Sequence, residues 1–120
     1  MISVPLRRAL FWAAALFAFV MAILPHPPEI PGNPSDKLQH IAAFATLGVL
    51  GAWAYVQTSV LGLFAGLSLF GAAIEVVQAI PALHRDSDIK DWIADVIAAG
   101  LVLALIYWRR ARRRREASQE

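Results

Sequence analysis

The chain has 120 residues, 58% of them apolar and only 17% charged, and it has no cysteine. That balance excludes an ordinary soluble domain, and the length leaves room for one domain, residues 1–120. Disulfides, thiolate catalysis and Cys-based metal sites are excluded outright. The formal charge of +2 comes from arginines gathered at the two ends of the chain, so it reads as a topology signal, with no nucleic-acid partner expected.

Four apolar stretches follow in order, with spans predicted at about 8–24, 38–56, 60–80 and 89–108. Each approaches the ~20 residues needed to cross a ~30 Å hydrocarbon core. The period-2 alternation of a membrane barrel is missing. The predicted class is therefore all-α: a helical integral membrane protein, a four-transmembrane-helix bundle. The first stretch follows Arg7 and Arg8, as a secretory signal does, but it runs out through Ile23-Leu24-Pro25 without a small-residue cleavage site. It is predicted to be an uncleaved first span.

The segment from Pro25 to Ser35 holds five prolines and Gly32, and is predicted to be an extended strap. The connection around Gln57-Thr58-Ser59 is short, which pairs spans two and three as an antiparallel hairpin. The third connection, Pro81 to Lys90, is short and charged. Residues 109–120 form a basic tail, expected to touch anionic lipid. Eight basic residues lie on the side of the termini and three (Lys37, Arg85, Lys90) on the other, which places both termini in the cytoplasm. The expected location is a membrane, crossed several times.

Small residues mark close helix approach. Gly62 and Gly66 form a Gly-x-x-x-Gly pair in span three, and Gly48 and Ala52 share that spacing in span two. The Gly62/Gly66 face is a candidate for packing within the chain or against a second copy. The six Trp and Tyr residues lie mostly near span ends, as interfacial anchors do.

Against this background the polar residues within the spans stand out. An ionisable side chain such as Glu75 costs roughly 2.5–3.5 kcal/mol at mid-span. Asp36, Lys37 and His40 open span two; Glu75 and Gln78 close span three; Arg85 lies in the connection; Asp91 and Asp95 open span four. Separations of three or four place Asp36 with His40, Glu75 with Gln78, and Asp91 with Asp95 on single helix faces. All belong to the outer ends of their spans, so three polar stripes are expected to face one another in one layer. Glu75 was placed about 7–8 Å inside its helix end, too deep for a cap. Asp36, Asp88 and Asp91 can act as helix N-caps.

The candidate catalytic set is Glu75, His40 and Asp95, with Glu75 or Asp95 as general base and His40 as proton partner. The candidate substrate-binding set is Asp36, Lys37, Gln78, Arg85 and Asp91, with Arg85 as an anion clamp. Asp36, His40, Glu75, Asp91 and Asp95 could also hold a hard cation, but no HExxH-type pair supports that reading, so no metal and no cofactor are expected. Three functions compete: a membrane enzyme acting on an amphiphile, a non-enzymatic binding or accessory protein whose polar layer is a network, and a small transporter. Four short spans leave little room for the last.

The run Asp36-Lys37-x-x-His40-x-x-Ala43-Phe44 resembles the first motif of VanZ-like membrane proteins. Glu75-x-x-Gln78, then Arg85, then Asp91-x-x-x-Asp95 resembles their second. The resemblance covers residues 36 to 100 and departs at Asp95, where the family often has Asn, and at Ala98, where it has Gly. It implies a small helical membrane protein of the bacterial cell envelope, in a family whose founding member is associated with teicoplanin resistance. Membrane lipids and a lipid-linked or amphiphilic ligand, a glycopeptide antibiotic among them, are the partners it implies.

Overall fold

The computed structural model describes residues 1–24, 32, 35–83 and 87–120, without the side chains of Asp36 and Leu83. Most of the proline-rich segment and the His84–Asp86 stretch, with Arg85, lie outside the described residues. The described chain is helical: α1 (Val4–Ile23), α2 (Asp36–Ala54), α3 (Val60–Gln78) and α4 (Ile89–Ser118), with one 3-10 turn at Pro81–Leu83. Two of these helices, α1 and α3, are long and apolar enough to cross a membrane. The charged residues of the chain's middle cluster in the first turns of α2 and α4 instead.

Each helix begins where the sequence supplies an oxygen for its orphan amide groups. Ser3, Ser35 and Ser59 cap α1, α2 and α3, their hydroxyls accepting from the amides of Leu6, Leu38 and Gly62. Asp88 caps α4, accepting from the Lys90 amide at 2.9 Å. The cap of α2 is thus Ser35; Asp36 is the first helical residue. Asp91 lies inside the first turn of α4, where its charge opposes the positive end of the helix dipole. Gly32 has φ +86°, a left-handed conformation that glycine takes without steric cost.

The helices run alternately up and down. At one end, Gln78 of α3 reaches Ala22 of α1, and His40 of α2 reaches Asp95 of α4. At the other end, Arg110 of α4 meets the close of α2. Helices α2 and α4 share the most extensive interface, followed by α3 with α4. Helix α2 therefore packs chiefly on α4, although the short turn joins it to α3. Gly48 allows this approach: a Cβ there would stand 3.2 Å from a Val102 methyl carbon. Phe44, Leu47, Ile74, Ala99 and Leu103, each at most 2% exposed, fill the centre.

The outside of the bundle is apolar. Leu16, Phe17, Leu61, Leu69, Val76 and Leu101 are all between 64% and 76% exposed. Gly62 and Gly66 also face outward. No atom lies within 4 Å of a Cβ placed on Gly66, so this pair mediates no helix contact within the chain. It borders an apolar groove of ≈ 250 Å³ lined by Phe11, Trp12, Tyr55 and Phe70 among others.

The end that carries the termini is basic and aromatic. Arg7 lies over the Trp53 ring at 5.3 Å and Arg8 over Tyr55 at 4.7 Å. The predicted tail is no separate segment, since α4 continues through the arginines to Ser118. Within it, Arg110 has a distinct duty. Its guanidinium donates to the carbonyls of Ala52 and Thr58, both at 3.1 Å, and so satisfies orphan acceptors where α2 ends.

Three packing predictions rest on these contacts. Arg110→Ala should lower unfolding stability in detergent by about 1–3 kcal/mol, as expected for lost hydrogen bonds to a charged donor. Gly71→Val should destabilise by about 1–3 kcal/mol through overpacking, since a Cβ at Gly71 already meets Trp92 at 3.2 Å. Gly66→Ala, which enters open space, should be neutral or gain up to about 1 kcal/mol from helix propensity. Denaturant titration followed by circular dichroism reads all three.

Candidate functional site

The polar layer forms at the end opposite the termini, from the first turns of α2 and α4 and the last turn of α3. His40, Glu75, Gln78, Asp91 and Asp95 are all buried, with at most 9% of each residue exposed. Asp95 is fully enclosed. Its Oδ1 lies 3.0 Å from His40 Nδ1, linking α2 to α4. Space for the carboxylate comes from Gly71, where a Cβ would stand 3.4 Å from Asp95 Oδ2 and from the Phe44 ring.

Glu75 is positioned by the chain that leads into α4. Its Oε2 accepts from the Asp88 amide at 2.9 Å and from the Ser87 hydroxyl at 3.1 Å. The same hydroxyl lies 3.0 Å from the Glu75 carbonyl oxygen. Because α3 ends at Gln78, Glu75 stands about 4.5 Å from the helix end, shallower than the sequence spacing implied. It thus satisfies a backbone donor at the start of the next helix, a capping role the sequence reading had excluded. Its Oε1 is buried with no hydrogen-bond partner among the described residues.

Three side chains from three helices converge here. Ligand-type atoms of His40, Glu75 and Asp95 all lie within 4.8 Å of one another. The candidate binding residues sit around them. Gln78 donates from Nε2 to the Ala22 carbonyl at 2.9 Å, which ties α3 to α1. Helix α1 thus meets the layer through its backbone, since no charged side chain lies between Ala9 and Leu24. Lys37, half exposed, is 4.0 Å from Asp91 Oδ1. A pair this exposed is worth roughly 0–1 kcal/mol. Two candidates are not placed: Arg85 and the Asp36 side chain lie outside the described residues.

Sequence reasoning missed three contributors. Ser87 and Gly71 carry no charge and match no polar stripe. Trp92, read as an interfacial anchor, donates its indole N–H to the Ser68 carbonyl at 3.0 Å and holds α4 against α3. Only the serine offered a signal, as a hydroxyl just before a helix N-cap.

No family model, curated protein or solved structure matches the chain.

The Glu75 geometry makes a separable prediction. Glu75→Gln keeps an oxygen able to accept from the Asp88 amide, whereas Glu75→Ala leaves that donor unsatisfied, at a cost of about 1–3 kcal/mol. Amide exchange at Asp88 should therefore accelerate about tenfold or more in Glu75→Ala. It should stay near wild type in Glu75→Gln, as measured by hydrogen exchange in detergent micelles.

Proposed function

We propose that the chain is a VanZ-like protein of the bacterial cell envelope, crossing the inner membrane four times with both termini in the cytoplasm. In this reading its polar layer lies near the outer face and binds an amphiphilic, lipid-linked envelope component. The observation that carries it is the convergence of His40, Glu75 and Asp95 from three separate helices, within 4.8 Å, in an otherwise apolar bundle. Placing ionisable groups at that depth is costly, and one deep anomaly is easier to explain by packing than three that meet.

Three further features support the reading. The apolar exterior matches a bundle solvated by lipid. The arginine-rich end of α4 and the Arg7/Arg8 pair lie at the end opposite the polar layer, as the positive-inside rule requires of cytoplasmic termini. The two motif runs that resemble the VanZ-like family contain each member of the converging set. Lys37 at the rim and Arg85 in the adjoining connection would supply cations for an anionic head group. The Gly62/Gly66 groove on the apolar exterior would be the seat of any homo-oligomer, a contact through small residues.

A second reading is favoured by a specific observation: the layer also pins the helices to one another. Glu75 joins the α4 N-terminus, Gln78 joins α1, and His40 joins Asp95. A purely structural, accessory protein would need these bonds and no ligand.

Glu75→Gln and Arg85→Ala separate the two. In the binding reading both variants keep wild-type helicity and membrane insertion but lose at least about 90% of ligand binding, the scale of a 1.4 kcal/mol loss. Retention of a fluorescent lipid-linked phosphate probe by purified protein in nanodiscs measures this. Loss of folded protein in both variants supports the structural network instead.

A further inference from the structure

We propose that His40, Glu75 and Asp95 form a three-ligand site for a divalent transition-metal cation of the Zn²⁺ or Mn²⁺ type. The sequence offers these three among five possible cation ligands but does not single them out, since they lie on separate helices and match no metal-binding spacing. The fold creates it by bringing an imidazole and two carboxylates to one buried point.

The donor chemistry fits such an ion. Imidazole suits Zn²⁺ and its neighbours, and carboxylate oxygens suit Mn²⁺ and Zn²⁺ alike. Two ligands bound about 2.1 Å from one ion, at angles of about 90–109°, stand about 3.0–3.4 Å apart. His40 Nδ1 and Asp95 Oδ1 are 3.0 Å apart. The whole set spans no more than 4.8 Å, so Glu75 must close in by at most about 1.4–1.8 Å to join them.

An independent observation at Glu75 points to a missing ligand. One carboxylate oxygen is held by the Asp88 amide and the Ser87 hydroxyl, the kind of outer contact that orients a metal-binding carboxylate. The other oxygen, Oε1, is buried with no hydrogen-bond partner among the described residues. No ion pair reaches Glu75 among those residues either. A carboxylate oriented by neutral donors, with a second oxygen left over in an apolar bundle, is a site for a cation. Three protein ligands leave coordination positions open for water or for an anionic oxygen of a bound ligand.

The inference concerns the layer on which the proposed function rests, and the two can fail separately. The full chain, purified without a histidine tag and stripped with chelator, is titrated in nanodiscs with Zn²⁺ or Mn²⁺. The expected result is saturable binding of about one ion per chain, weakened by at least 100-fold in His40→Ala, Glu75→Gln and Asp95→Asn. Glu116→Gln, exposed at the opposite end of α4, should bind as the wild type does. Should the variants not fold, the Mn²⁺ electron paramagnetic resonance spectrum of the wild-type protein decides: coupling to one imidazole nitrogen supports the site. Absence of that coupling, absence of saturable binding, or binding unchanged in folded variants overturns it. Retention of the lipid-linked phosphate probe in excess chelator would overturn the metal site and leave the proposed function standing. Metal binding without probe retention would do the reverse.

Discussion

The Asp95 carboxylate, wholly enclosed near the start of α4, is the group around which the polar end of the bundle is arranged. A carboxylate in an apolar interior has to be met by donors. His40 comes from the first turns of α2 to meet it. Gly71 yields the space that any larger residue would fill, and the Phe44 ring lies on the same spot. The Trp92 indole, one turn earlier on α4, anchors that helix to α3. Each of these contacts crosses from one helix to another, so the demand of one buried charge fixes the mutual placement of three helices.

Much of the architecture was legible in the sequence because hydrophobicity is a local, periodic property. The all-helical class and the order of elements both come from spacing. Boundaries were less legible. Helix α3 stops at Gln78, earlier than its apolar run, and α4 runs ten residues past Trp108 because arginines are good helix formers. The membrane class is a coarser match: among the described residues, α1 and α3 are the helices long and apolar enough to cross a membrane.

What the sequence withheld was pairing. Nothing in the order of residues says that α2 prefers α4 to its hairpin partner α3, yet that choice puts His40 beside Asp95. The Gly62/Gly66 spacing reads as a packing motif, but the glycines that carry close contacts within the chain are Gly48, Gly51, Gly71 and Gly100. Spacing identifies a face; only the fold says what the face meets. Likewise Gly71 serves the site through position alone, with no chemistry that marks it in advance.

The clasp made by Arg110 has a mechanical consequence. Helices α2 and α4 are parallel neighbours fastened at two places, His40 to Asp95 at one end and Arg110 to Ala52 and Thr58 at the other. Along α4 these fastenings are about 22 Å apart, at 1.5 Å per residue. Sliding one helix past the other by a single residue would break both at once, and so would a turn about either axis. The pair therefore behaves as one rigid plank. On the polar side α3 is tied to this plank as well, through Glu75 to the Asp88 amide and Ser68 to the Trp92 indole, so parting α3 from the layer has to break both bonds.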